Sequence, residues 1–513
     1  MRTRSSITPL AVLILVSGAL VAHAMVFNFI NDDAFISFRY ADNLVRHGEL
    51  VFNVGERVEG YTNFLWTMMM AGVMALGLDP VPWSKGLGVV LAVLTLWVIA
   101  RFTSRRNEGL TLWDAVAPAL LAAAPAYACW STGGLETQLF TFTATMGWTG
   151  YLTERREGRT RSTSGIWFAL CAMTRPEGML LFGLTGLHRI GMLIGEARSG
   201  GRFMPTVGDW VWGAGFALVF VPFYAWRWVY YGWPFPNTYY VKTGASGFWG
   251  PGWNYFWSWV ETHHLWLLPL IVAFKRLAPP PGQRALMALG GLYTLGVGLH
   301  VVRVGGDFMA LHRFFVPLMP LLAVMAAEGI RGGTEALLAS GVSRLRLSLG
   351  AGALSLMVLY GVGVTDKNAL KVGSEGGVDS IGWLNMFAGQ CTAIGKHLAT
   401  IAPPEASLAT TAAGIIPYYS RLYTLDVLGL NDEWIAHNVE PRGKRPGHTK
   451  SAPLSYILEK QVDYLIYHPT IAKRPPGQGA GQKRAWKQRG YTWQTEKVPG
   501  LTPPWWGFWQ KSR

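Results

Sequence analysis

Largely apolar stretches recur along the whole first part of the chain, near 9–28, 63–79, 86–101, 113–130, 135–152, 164–192, 209–230, 262–274, 284–302, 312–330 and 345–363. Each approaches the ~20 residues needed to cross ~30 Å of hydrocarbon. Backbone polar groups have no water to bond there, so such stretches fold as helices that satisfy themselves. Composition agrees, since 50% of residues are hydrophobic and 15% are charged, where soluble domains run near ~25% charged. A disordered chain is excluded by the apolar content. The expected fold is a polytopic α-helical membrane protein with about ten or eleven spans.

The charged residues are unevenly signed: 45 Lys and Arg stand against 30 Asp and Glu, for a net charge of +15. No zinc-finger spacing, aromatic RNA-binding motif or basic zipper accompanies them, so no nucleic-acid partner is expected. Basic loops on the cytoplasmic side of a multi-pass protein account for the excess. By that rule 153–161 and 188–202 are cytoplasmic. Between them lies one interrupted apolar run, broken at Thr174-Arg175-Pro176-Glu177-Gly178. Two half-helices meeting there would place Arg175 and Glu177 at membrane depth. The stretch 63–101 does not parse: if 101–106 is cytoplasmic, one of its two runs fails to cross. Cys129, Cys171 and Cys391 have neither disulfide-framework nor metal-ligand spacing. Arg2 and Arg4 followed by an apolar run to Val21 resemble a signal peptide, but the run resumes at Met25 and reads as an uncleaved first span.

After residue 364 no run reaches spanning length. The chain is therefore divided into a transmembrane module, 1–364, and an exported soluble α/β domain, 365–513. Ser407–Thr410 and Val462–Tyr467 read as buried strands, with a helix at Leu454–Lys460 before the second. Lys473–Arg489, rich in Gly, Lys and Arg, reads as a surface loop. The tail is expected to pack over the exported loops. Its terminal Pro503-Pro504-Trp505-Trp506-Gly507-Phe508-Trp509 is expected at the membrane interface, which favours Trp.

Six polar blocks interrupt this apolar background. Asn31-Asp32-Asp33-Ala34-Phe35-Ile36-Ser37-Phe38-Arg39-Tyr40 follows the first span directly, its aromatics at the spacing of a helix lying on the membrane surface. An acid pair is a poor boundary anchor, since Lys and Arg can snorkel. It suits a general base or a metal ligand. The others are Val51–Asn63 with Glu59, the Ser131–Thr137 turn with Glu136, the Arg175-Pro176-Glu177 break, the Pro234–Lys242 segment with Tyr239, and Gly305-Gly306-Asp307-Phe308-Met309 followed by His312 and Arg313. Ionisable groups at membrane depth are usually functional.

The run Asp32–Ala41, the loop Gly55–Asn63, Thr174–Gly178, Gly305–Met309 and, in the tail, Tyr423–Asp432 together resemble the GT-C superfamily of membrane glycosyltransferases, and within it the mycobacterial terminal arabinofuranosyltransferases. The resemblance spans roughly residues 1–330 and implies a sugar donor on polyprenyl phosphate, with arabinofuranose as the candidate sugar. It also implies an envelope glycan or glycolipid acceptor and an active site on the extracytoplasmic side of a bacterial inner membrane. Asp33, ahead of Asp32, is the expected base for the acceptor hydroxyl. Lys242, Arg313, Arg175 and Arg39 are the candidates to stabilise the departing phosphate. Glu59, Glu136, Glu177, Tyr239, Asp307 and His312 are the candidate substrate contacts. A single displacement implies inversion. The absence of a P-loop or dinucleotide fingerprint disfavours a cytosolic nucleotide-sugar donor. A divalent metal is left open. A transporter or flippase of a lipid-linked glycan and a protein-directed glycosyltransferase are the alternatives, although no internal repeat supports the former.

Overall fold

The computed structural model describes residues 7–104, 109–200, 203–242, 248–263, 265, 281–375, 377–443 and 445–512. The run 262–274 lies almost wholly outside the described residues. The chain divides into two compact units, one of 1–28, 84–224 and 248–371, the other of 29–83, 225–247 and 372–513.

Among the described residues, seven helices are long and apolar enough to span: Thr8–Phe27, Pro80–Ser104, Glu177–Arg198, Val207–Tyr231, Gln283–Val304, Arg313–Ala339 and Arg344–Leu370. Three shorter apolar helices, Phe64–Ala75, Leu112–Ala122 and Ser164–Thr174, fill other expected runs. Phe64–Ala75 has 12 residues, or ~18 Å at 1.5 Å per residue. It is too short to cross alone, and of the two runs in 63–101 Pro80–Ser104 is the one of spanning length.

In the first unit, Thr137–Arg156 is rich in threonine yet largely buried. Its hydroxyls bond back one turn: Thr141 to the Thr137 carbonyl at 2.7 Å, Thr145 to Thr141 at 2.7 Å and Thr149 to Thr145 at 2.6 Å. A polar stripe is thereby satisfied inside its own helix. At the expected break, Ser164–Thr174 ends on Arg175 in extended backbone, φ −153° and ψ 142°, as a residue before proline prefers. Pro176 then caps Glu177–Arg198. That helix has 22 residues, so the break separates a short helix from a full span, not two half-helices.

The second unit holds a five-stranded mixed sheet. Its strands are β1 (Ser407–Thr410), β2 (Tyr423–Asp426), β3 (Tyr464–Ala472), β4 (Tyr491–Lys497) and β5 (Trp505–Lys511), in the order β2-β1-β3-β5-β4. β1 lies parallel to β2 and β3, whereas β3–β5 and β4–β5 are antiparallel. Ala409, Leu425, Val427, Ile435, Ile457 and Leu465 form its core. The expected strands and the helix Leu454–Glu459 are present.

Three further expectations change. The 473–489 segment contains a helix, Ala480–Gln488, made of good helix formers although it buries nothing. Two of the three terminal tryptophans are core: Trp506, Trp509 and the intervening Phe508 are buried in β5, against an interfacial role, while Trp505 is half-buried. Phe35, Phe38 and Tyr40, expected on a membrane surface, are fully buried on the helix Ala34–His47. Phe35 packs edge-on against Tyr418 at 5.3 Å.

Candidate active site

The acid pair opens the helix Ala34–His47. Asp33 occupies its N-cap without a side-chain bond to the helix's own first amides. Asp32 points elsewhere: its carboxylate accepts from the Ile415 amide at 2.8 Å and the Gly414 amide at 3.2 Å. A side chain on residue 414 would meet the Asp32 carbonyl oxygen at 1.8 Å, so only glycine permits the approach. Burial pushes the Asp32 carboxyl up to about 7; the two amides oppose this, and repulsion from Asp33 and Asp426 adds to it.

Arg39, one turn and a half further along, is consumed in architecture. Its guanidinium donates to the carbonyls of Phe52 (2.6 Å), Pro417 (2.6 Å) and Leu422 (2.8 Å) and to Asn53 Oδ1 (3.0 Å). It ties the helix to the tail. Glu59 is likewise paired. It is buried and accepts from Arg227 Nε and Nη2. Burial raises the Glu59 carboxyl, and the guanidinium opposes the rise. The Glu59 carbonyl receives the Asn237 amide at 2.9 Å, and Asn237 Nδ2 reaches the carbonyls of Gly429 and Leu430 at 2.9 and 3.0 Å. These bonds seat the short helix Asn237–Lys242, on which Tyr239 and Lys242 are exposed. Asp426 of β2 accepts three bonds from Leu428 and Asn431, and burial pushes its carboxyl up to about 6.

The remaining candidates lie in the first unit. Arg175 bridges Glu136 (2.7 Å) and Glu177 (2.6 Å). Arg313 Nε donates to Asp307 at 2.9 Å. The ring of Phe314 lies 5.3 Å from one guanidinium and 5.4 Å from the other. Both arginines and Glu177 line a cavity of about 30 Å³, room for about one water. The two guanidiniums are thus paired with three carboxylates, those of Glu136, Glu177 and Asp307. Gly305 and Gly306, at φ 88° and 80°, make the turn that delivers Asp307, and side chains there would strike Phe248 and Tyr255. His312 is left-handed at φ 49°, with its Nε2 3.2 Å from Ser258 Oγ.

The structure thus groups Asp32, Asp33, Arg39, Glu59, Tyr239 and Lys242 in one unit and Glu136, Arg175, Glu177, Asp307, His312 and Arg313 in the other. Sequence reasoning missed His448, Gly414 and Arg227. His448 interacts electrostatically with both Asp33 and Lys242. Arg227, a cation inside the apolar run 209–230, was the one with a readable signal. Among the described residues no three His, Cys, Asp or Glu side chains gather to hold a metal ion.

The architecture is that of a polytopic α-helical membrane protein with a small mixed sheet. ArnT from Cupriavidus metallidurans bound to undecaprenyl phosphate shares the fold, with a TM-score of 0.59 at 13% identity, covering 98% of this chain and 97% of that one. Its apo state gives 0.56, at 13% identity and 97% of each chain. In sequence, the terminal β-(1→2)-arabinofuranosyltransferase of Corynebacterium glutamicum is 27% identical over 337 residues, 57% of this chain and 47% of that protein. The protein of the same name from Mycobacterium tuberculosis is 28% identical over 340 residues, 58% and 52% respectively. The chain spans about half the length of these curated relatives. Residues 384–509 match a family described as Domain of unknown function (DUF8728).

Proposed function

We propose that the chain is an inverting glycosyltransferase that moves arabinofuranose from a polyprenyl-phosphate donor to an envelope glycan or glycolipid, at the extracytoplasmic face of a bacterial inner membrane. Residues 1–364 are the catalytic module and 365–513 an exported domain. The reading draws on the names of the relatives and the undecaprenyl phosphate held by ArnT. The observation that carries it is the division of labour in the acid pair: Asp32 is held by backbone amides of the tail, while Asp33 leaves its own helix terminus uncapped.

In this reading Asp33 takes the proton of the acceptor hydroxyl as that oxygen attacks the anomeric carbon. The bond from that carbon to the phosphate oxygen breaks, and the phosphate leaves with the electron pair. Lys242, exposed on its short helix, meets the growing negative charge. Arg175 and Arg313 sit among acids, which makes them weaker candidates for an anion. Arg39 and Glu59 serve the scaffold. One displacement inverts the anomeric centre. The test is the configuration of the product, read by NMR from a donor of known anomer: inversion is expected, and retention overturns the single displacement.

A further inference from the structure

A cavity of about 410 Å³ in the second unit takes no part in the transfer step described above. Its lining includes Trp434, Asn438, Glu440, Arg442, His448 and Lys450. Trp434 is 42% exposed, yet its ring is held flat on Tyr456, 4.1 Å between centroids and 11° between planes. The Tyr456 hydroxyl is in turn fixed by Asp432 at 3.1 Å. Asn438 Nδ2 donates to the Trp434 carbonyl at 2.9 Å, and Lys450 Nζ to that of Ala436 at 2.7 Å. The facing wall is a pinched loop, in which the Arg442 and Gly443 amides both donate to the Thr449 carbonyl at 2.8 Å. A side chain at 443 would lie 2.0 Å from the His448 carbonyl oxygen. Thr449 Oγ1 donates to the Val241 carbonyl at 2.6 Å, which fastens the loop beside Lys242. The cavity therefore adjoins the proposed reaction centre, and its walls are pre-set.

An exposed, rigidly backed indole offers a flat face to the C–H side of a sugar ring, while an amide, a carboxylate and a guanidinium answer its hydroxyls. Lys450 Nζ is turned to the Ala436 carbonyl, so the indole face and the polar groups of Asn438, Glu440 and Arg442 set what the cavity accepts. We propose that this cavity is an acceptor subsite, which binds a glycan residue of the acceptor chain other than the one that receives the sugar. The substrate class rests on the transferase reading above.

The test uses the full-length protein in detergent and two acceptors, a synthetic arabinofuranosyl hexasaccharide and an octyl arabinofuranoside. In Trp434→Ala and Arg442→Ala, the ratio of kcat/KM for the hexasaccharide to that for the single sugar should fall about tenfold, the loss of one good contact. Equal loss for both acceptors, or none, overturns the subsite. Should Trp434→Ala fail to fold, Arg442→Ala, a surface change, carries the comparison. A wild-type protein that transfers no sugar would defeat the transferase reading instead. Quenching of tryptophan fluorescence by the hexasaccharide, weakened in Arg442→Ala, would then still support the subsite. Absence of quenching, or displacement by inorganic phosphate alone, would overturn it.

Discussion

The carboxylate of Asp32 accepts the backbone amide of Ile415 at 2.8 Å, although the two residues stand 383 positions apart. The loop that follows the first helix and the tail are therefore closed on each other at the acid pair. Arg39 repeats the closure through Pro417 and Leu422.

Gly414→Ala should break that contact, because the added methyl would fall 1.8 Å from the Asp32 carbonyl oxygen. A steric clash of this kind typically costs about 1–3 kcal/mol. The expected outcome is a lower thermal midpoint together with a loss of transfer. Wild-type stability would show that the loop can retreat without consequence.

Asp32 gives stability a sign with pH. Its carboxyl is raised to about 7 from an unfolded value near ~3.9. Between those limits the folded protein binds more protons than the unfolded chain, so this group's contribution falls as pH rises. Asp426, raised to about 6, acts in the same direction. Asp32→Asn should shrink the decline in thermal midpoint between pH 5 and pH 7.5 without abolishing it. An unchanged decline would mean that Asp32 is ionised throughout.

Lys242→Ala and Arg313→Ala should differ. Lys242 is exposed, so its loss should leave folding intact and weaken donor use. A lost charge-assisted contact is worth about 1.5–3 kcal/mol, or roughly tenfold to a hundredfold in KM for the donor. Arg313→Ala removes the guanidinium bonded to Asp307, whose side chain is 2% exposed. Breaking such a pair costs about 3–5 kcal/mol. Unfolding curves and donor kinetics measured on both variants separate the two effects.

Glu59→Leu should be severely destabilising alone, since it strands the buried Arg227. Adding Arg227→Met should restore much of the loss, because replacing both members of a buried pair is often neutral. Thermal unfolding of the single and double variants gives the coupling, and simple additivity would remove the pair from the scaffold.

What the sequence makes legible follows from range. The spans and the Arg175-Pro176 break are local, written in apolar length and in proline's effect on the residue before it. The strands Ser407–Thr410 and Tyr464–Ala472 are short apolar runs and were equally readable. The helix Ala480–Gln488 has glycines at its start and buries no residue, so neither apolar periodicity nor a clean boundary marks it in the sequence. Trp506 and Trp509 were misassigned because Trp suits both an interface and a sheet core, and only strand pairing decides between them. At the site, Asp32 and Asp33 stand out as adjacent acids after a span. What separates their roles is the approach of Gly414, 382 positions away, for which one sequence carries no signal.

The central claim is that Asp33 is the base. Asp33→Asn keeps the shape of the side chain but cannot take up a proton at neutral pH. The decisive measurement is transfer of radiolabelled arabinofuranose from its polyprenyl-phosphate donor, with expression and thermal midpoint followed in parallel. The account predicts a folded, membrane-inserted protein whose transfer rate falls by about 10²–10⁴-fold, with a smaller loss in Asp32→Asn. Wild-type turnover in Asp33→Asn would contradict it and move the base to another acid.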